Sequence, residues 1–162
     1  MIKIRDAEIS DIKDITAIYN WAILNTVATF DNEIKSIDEQ KSWFNSHGNK
    51  NPIMVAELDE NIVGWTSLTK WSDRCAYSDT AELSLYVKEG FMNIGIGRKL
   101  MKKIIDQGDS IGLHVLMARI TEGNENSIHL HESFGFSHIG IMRQVGRKFG
   151  KLLDVYLLQK IY

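Results

Sequence analysis

Residues 80–87 read Thr80-Ala81-Glu82-Leu83-Ser84-Leu85-Tyr86-Val87, residues 93–97 read Asn93-Ile94-Gly95-Ile96-Gly97, and residues 98–105 continue Arg98-Lys99-Leu100-Met101-Lys102-Lys103-Ile104-Ile105. Across these blocks the periodicity changes. The first alternates, with Leu83, Leu85 and Val87 on one face and Glu82, Ser84 and Tyr86 on the other, which is a half-buried strand. The last repeats apolar residues at three-to-four spacing through Leu100, Met101, Ile104 and Ile105, which is an amphipathic helix. Gly95 and Gly97 stand where one gives way to the other. Their missing side chains let backbone N–H groups and the positive helix end approach an anion, but a tight turn also uses such glycines, and both readings stay open on spacing alone. The named nucleotide motifs do not fit. Gly90 to Gly95 has the first interval of a phosphate-binding loop, yet Ile96 and Gly97 stand where Lys and Ser or Thr belong. Leu100 takes the place of the third glycine of a dinucleotide fingerprint.

Working outward, Ile2 to Arg5 reads as a short strand, and Ser10 is placed to cap a helix carrying Ile12, Ile15, Ile18, Tyr19 and Ala22. Ser36 and Glu39 have capping-box spacing for a second helix with Trp43 and Phe44 on its buried side. Ile53 to Leu58 and Ile62 to Lys70 bracket the turn residues Asp59-Glu60-Asn61 and predict a hairpin. After the glycine-led helix, which ends near Gly108 or Gly112, His114 to Ile120 reads as a strand. Asn126 to Phe134 follows as a short helix, capped by Asn126 or Ser127 and closed by Gly135. Phe136 to Val145 and Val155 to Ile161 are closing strands. This order predicts an α/β (α+β) fold with a mixed sheet, not a doubly wound one. Pro52 is the only proline, and no linker or repeat divides the chain, so residues 1–162 are expected to form a single domain.

Composition narrows the function. The chain is 44% hydrophobic and 25% charged, with 19 basic against 21 acidic residues and a net charge of -2. No broad cationic field exists to hold nucleic acid. Neither a signal peptide nor a run of about 18 apolar residues is present, so no membrane association and a cytoplasmic location are expected. Cys75, the one cysteine, has no internal disulfide partner and no cysteine pair offers zinc ligands. His129 and His131 are two apart on a helix and point about 200° from one another, so they cannot share an ion, and no metal is expected.

The strand ending Leu85-Tyr86-Val87, the loop Met92-Asn93-Ile94-Gly95-Ile96-Gly97 and the segment Asn124 to Phe136 together resemble the GNAT family of N-acetyltransferases. The resemblance implies a GNAT fold, a mostly antiparallel central sheet flanked by helices, and acetyl-CoA as cosubstrate. In the family a Gln/Arg-x-x-Gly-x-Gly/Ala loop holds the pyrophosphate, which maps onto Met92 to Gly97 with Met92 replacing the polar first residue. Arg98 and Lys99 would add cationic charge there, or serve as ordinary solvated helix residues. Leu85, Tyr86 and Val87 would line the cofactor, the amide near Val87 would receive the oxyanion, and Asn124, Ser127 and Ser133 belong to the second cofactor segment.

Within the family the chain resembles phosphinothricin and methionine sulfone or sulfoximine acetyltransferases. The match runs through Asn25-Thr26-Val27-Ala28-Thr29-Phe30, Trp71 to Tyr77, Ala81 to Val87 and Val145 to Gly150. Leu83 and Leu152 depart from a histidine and a tryptophan common in that subgroup. An acceptor amine must lose a proton before it attacks a thioester, so Glu82 is the candidate general base, with a solvent-facing strand carboxylate as its other reading. His131 stands where the family has a tyrosine that protonates the departing thiolate, and is the candidate general acid. Phe30, Arg74, Tyr77, Glu82 and Lys148 are candidates for a small-molecule amine acceptor, Arg74 because guanidinium binds carboxylate as a fork. A homodimer is also implied. A protein or peptide acetyltransferase, or an acyl-CoA-binding sensor without catalysis, would fit the same sequence.

Overall fold

The alternating strand quoted above lies at the centre of a seven-stranded sheet in a computed structural model describing residues 1–162. In chain order the elements are β1 (Lys3–Asp6), a 3-10 turn (Ile9–Asp11), α1 (Ile12–Asn25), α2 (Ile37–Asn45), β2 (Ile53–Leu58) and β3 (Asn61–Lys70). A second 3-10 turn (Cys75–Tyr77) leads to β4 (Thr80–Val87), α3 (Ile96–Ser110), β5 (Val115–Thr121), α4 (Glu125–Glu132), β6 (Ser137–Lys148) and β7 (Lys151–Ile161). The strand order is β1-β2-β3-β4-β5-β7-β6, antiparallel everywhere except between β4 and β5.

Both periodicities are realised. Ala81 and Leu83 of β4 join Met101, Ile104 and Ile105 of α3 in the larger core, with Leu116 and Ala118 of β5 and Leu158 of β7. The opposite face of the sheet packs Val55 and Trp65 against Ile15 and Ile18 of α1, with Tyr19, Trp43, Phe44 and Tyr86 at its margin. In α2 the expected capping box is present: the Glu39 amide donates to Ser36 Oγ at 3.2 Å, and Glu39 Oε2 accepts from the Ser36 amide at 2.7 Å. Trp43 and Phe44 are only half-buried, and Gln40 is the buried residue of this helix.

Three local expectations are corrected. Ser10 does not cap α1; Asp11 accepts the Glu8 amide at 2.8 Å while Arg5 grips its two oxygens at 2.7 and 2.9 Å. That pair crosses from β1, and it holds the Asp11 carboxyl below its ordinary range. Asn126 and Ser127 lie inside α4, whose N-cap is Asn124, with the Asn124 carbonyl accepting the amides of Ser127 and Ile128. The closing strands run further than their apolar residues suggest and meet at Phe149-Gly150, both with positive φ. A bulge at Gln144 (φ 50) sends its amide to Asp154 Oδ1 at 2.8 Å.

The parallel pair is short. Its register covers Thr80↔Val115, Ala81↔Leu116 and Glu82↔Met117 only. Beyond that point β4 stays with β3 to Val87 and β5 stays with β7 to Thr121, so the two strands part and a V-shaped cleft opens between them.

One wall of the cleft is the loop between α1 and α2, and Lys148 secures it. Lys148 is 2% exposed, and its Nζ donates to the carbonyls of Thr29 and Asp31 at 2.7 Å each. The expectation that it contacts the acceptor is therefore corrected: the ammonium is committed to the loop backbone, and burial lowers its pKa from the ordinary lysine value. Lys148→Met leaves both carbonyls without a donor and is expected to cost about 1–3 kcal/mol of folding stability. Urea unfolding measures this, and an unchanged midpoint would contradict the clamp.

Candidate active site

Two adjoining cavities follow the parted strands. The first, about 440 Å³, is bounded by Glu82, Ser84 and Tyr86 of β4, by Arg119 and Thr121 of β5, and by Phe30, Asp31 and His131. The second, about 380 Å³, runs past Leu85, Tyr86 and Val87 to Met92, Asn93, Gly95, Gly97 and Arg98. Ala28, Leu85, Tyr86, Asn124 and Ser127 border both, so the two form one path.

The outer end is built from backbone. Asn93 (φ 63) and Gly95 (φ 91) are in the left-handed region, Gly95 at the N-cap of α3, a conformation that needs no Cβ. The Lys99 amide makes the first helical bond, to the Gly95 carbonyl at 3.2 Å, and no protein acceptor takes the amides of Met92 through Arg98. A loop of free N–H groups running into a helix N-terminus suits a phosphate group. Side chains add less than the sequence suggested. Met92 and Asn93 line the cavity, whereas Ile94 points to solvent and Ile96 is 2% exposed within the core, so those two offer only their amides. Arg98 lines the cavity, donates from Nη1 to Ser133 Oγ at 3.1 Å and stacks over Phe134. Ser133 and Lys99 border neither cavity; Ser133 acts by holding Arg98, and Lys99 is a solvated helix residue.

Midway, the edge of β4 is open. The Lys88 amide donates to the Val63 carbonyl, so the antiparallel alternation turns even-numbered residues of β4 toward β3. The N–H and C=O groups of Leu85 and Val87 consequently face the gap left by β5. The amide expected near Val87 is thus presented to the cleft.

At the inner end stands Glu82, whose side chain is 16% exposed. Arg119 of β5 holds it in a fork, Nε to Oε1 and Nη2 to Oε2, both 2.6 Å. The carboxylate keeps the Arg119 pKa above its ordinary value. Sequence reasoning missed Arg119, although one charge in the apolar run Val115 to Ile120 was a signal that it has a partner. It also missed Tyr19 and Asp31. Tyr19 donates to Asp31 Oδ2 at 2.5 Å and meets Thr29 Oγ1 at 2.9 Å, and burial raises the pKa of both Tyr19 and Tyr86, which wall the cleft as neutral phenols.

His131 lies in the inner cavity but not in the state expected of it. Its Nδ1 is 2.7 Å from the Ser127 carbonyl, which can only accept, so the ring proton sits on Nδ1. Nε2 is buried without a partner, and the ring packs edge-on against Phe136. Burial lowers the His131 pKa, so near neutrality the ring is uncharged and has no proton on Nε2 to give a thiolate. The expected general acid is therefore not poised to donate.

Of the acceptor candidates, Phe30 lines the inner cavity and packs so closely on Gly146 that a Cβ there would come within 2.1 Å of its ring. Arg74 and Tyr77 do not reach either cavity; both are exposed beside the 3-10 turn between β3 and β4. Arg74 was expected there for the forked geometry of its guanidinium, but within one chain neither residue borders the cleft that holds Glu82.

Residues 4–157 match a family model described as an acetyltransferase (GNAT) domain. The chain is 36% identical over 158 residues to the L-methionine sulfoximine/L-methionine sulfone acetyltransferase of Pseudomonas aeruginosa, covering 96% of this chain and 92% of that protein. The crystal structure of a phosphinothricin acetyltransferase from Sinorhizobium meliloti in complex with AcCoA superposes with a TM-score of 0.96 at 30% identity, over 99% of this chain and 88% of that one. A ribosomal-protein-alanine N-acetyltransferase from Brucella melitensis superposes with a TM-score of 0.95 at 36% identity, covering 99% of each chain.

The histidine geometry has a measurable consequence. Because burial lowers the folded pKa of His131, and of His47, below 6.5, the unfolded chain binds protons first as pH falls, and stability declines below about pH 6.5. Long-range proton–nitrogen NMR should show His131 neutral and protonated at Nδ1 at pH 7. An imidazolium there would contradict the assignment.

Proposed function

The chain belongs to the GNAT family of acetyltransferases, and we propose that it transfers an acetyl group from acetyl-CoA to the amino group of a small amino-acid analogue of the phosphinothricin, methionine sulfone or methionine sulfoximine type. The observation that carries this reading is the continuous path from an amide-lined anion cradle to Glu82, past the open edge of β4. Acetyl-CoA, when bound, supplies a thioester-activated acetyl group and a pyrophosphate handle.

The residues divide the work by position. The amides of Met92 to Arg98, with the Arg98 side chain, hold the pyrophosphate, and Asn124 and Ser127 border the arm of the cofactor where the two cavities join. The exposed edge of Leu85 to Val87 pairs with that arm, and the Val87 amide receives the charge that develops on the acetyl oxygen. Glu82 takes the proton of the acceptor ammonium, directly or through water, because only the neutral amine attacks. Transfer is direct and needs no protein nucleophile; Cys75 is exposed on the β3–β4 turn and borders neither cavity. A free thiolate resembles that of cysteine, pKa about 8.5, and is a competent leaving group without an acid beside it, which agrees with a neutral His131.

A small acceptor is favoured by the size of the inner cavity and by the walls around it, with Phe30 seated on Gly146 and the loop clamped by Lys148. An acceptor at a protein amino terminus is the second reading, suggested by the name of the Brucella relative. The chain is also proposed to act as a homodimer through its edge hairpin, where Ile139, Ile141, Val145, Phe149 and Leu152 are exposed apolar residues on β6, β7 and their turn.

A thiol-release assay with acetyl-CoA against methionine sulfone, methionine sulfoximine, phosphinothricin and short peptides should give turnover with the amino-acid analogues. Release with none of them would overturn the reading, and release with peptides alone would favour the second. Glu82→Gln should bind acetyl-CoA normally yet lose about 100-fold or more in kcat; full turnover in that variant would remove Glu82 as the base. Sedimentation should give twice the chain mass, and a monomer at micromolar concentration would contradict the dimer.

A further inference from the structure

We propose that Arg119 receives the carboxylate of the acceptor, and that the Glu82–Arg119 pair as a unit recognises the zwitterion of a free α-amino acid. This rests on the acetyl-transfer reading above and names the acceptor's second point of attachment.

The argument begins with the strand. In β5 Arg119 is the single charged side chain, between the buried Ala118 and Ile120. Its neighbours point into the core while Arg119 turns outward to the cleft, where Glu82 accepts two of its N–H groups at 2.6 Å. A guanidinium has five N–H groups. Nε and one proton of Nη2 are engaged; Nη1 and the second Nη2 proton have no acceptor in the chain. The side chain is 52% exposed and borders the inner cavity beside Glu82, so those donors are within reach of a ligand there. Trp71 braces the guanidinium, with Cζ 5.6 Å from its ring centre.

The pair therefore presents an anion and a cation side by side at the end of the cleft. An α-amino acid carries the complementary arrangement on one carbon. With its ammonium at Glu82 the amine sits at the base, and its carboxylate falls beside the unused edge of Arg119, where a second carboxylate completes the donor set of the fork. Each Glu82 oxygen spends one lone pair on Arg119 and keeps another for the ammonium proton. Arg74, for which this role was expected, lies outside both cavities. An internal or amino-terminal residue of a peptide carries an amide where this site offers a cation.

The test compares methionine sulfone with its methyl ester, which keeps the amine and lacks the carboxylate charge, in the full-length protein and in Arg119→Gln and Arg119→Lys. Arg119→Gln should raise KM for the acid about 10- to 100-fold and leave KM for the ester within about threefold. Arg119→Lys should restore only part of the loss, since a point charge replaces a fork. KM is independent of the folded fraction, so partial misfolding does not mimic this result. Equal losses for acid and ester, expressed in kcat, would overturn the proposal and leave Arg119 as a residue that only positions Glu82. Failure of the unsubstituted protein to acetylate either compound would instead overturn the functional reading, and this inference with it.

Discussion

The parting of β4 from β5 after Glu82 and Met117 is the constraint on which the rest of the molecule depends. Each strand keeps its antiparallel partner on the outer side, β3 for β4 and β7 for β5, so divergence costs the sheet only the ladder between them. The backbone groups of Leu85 and Val87 are left facing a gap, and backbone donors and acceptors need partners. An extended ligand laid along this edge would supply them. The crossover that must follow a parallel strand then sets α3 at the same end, so the helix N-terminus and the amides of Met92 to Arg98 stand at the mouth of the gap that β4 opens. The amide-lined loop, the open strand edge and Glu82 are brought to one cleft by a single interrupted pairing.

Charge is organised locally against this frame. A chain with a net charge of -2 has no global field for an anion, and what the loop from Met92 to Arg98 offers instead is local: amide dipoles and one arginine. At the other end the Glu82–Arg119 pair concentrates both signs in a few ångströms, while Tyr19, Tyr86 and His131 are kept neutral by burial. The ionic chemistry of the inner cavity is thus carried by Glu82 and Arg119, with Asp31 engaged by Tyr19. Lys148, expected from sequence to serve the acceptor, spends its charge fastening the wall.

What was legible in the sequence is what local periodicity and turn chemistry encode. The alternation of β4, the glycine-led start of α3, the Ser36–Glu39 box and the Asp59-Glu60 turn all appear where their residue types require. What was not legible depends on partners distant in the chain. Ser10 does not cap α1 because the N-cap position falls to Asp11, whose carboxylate turns back to the Glu8 amide and to Arg5 from another element. Lys148 read as an acceptor contact because lysines are rarely buried, and only the fold brings two carbonyls more than a hundred residues away to meet it. Arg119 escaped notice because its partner is 37 residues distant, and the state of His131 follows from burial that no spacing reveals. The part of the cleft made largely of backbone follows from local sequence, whereas the part made of side chains depends on partners that only the fold brings together.

The central claim is that the gap between β4 and β5 is a binding cleft whose missing ladder is completed by the cofactor. Backbone amide hydrogen exchange with and without saturating acetyl-CoA tests it most directly. The account predicts slowed exchange at Gly95, Ile96, Gly97 and Arg98 together with Leu85 and Val87, while the β3–β4 ladder is unchanged. Protection confined to other surfaces, or none at the β4 edge despite binding, would contradict it.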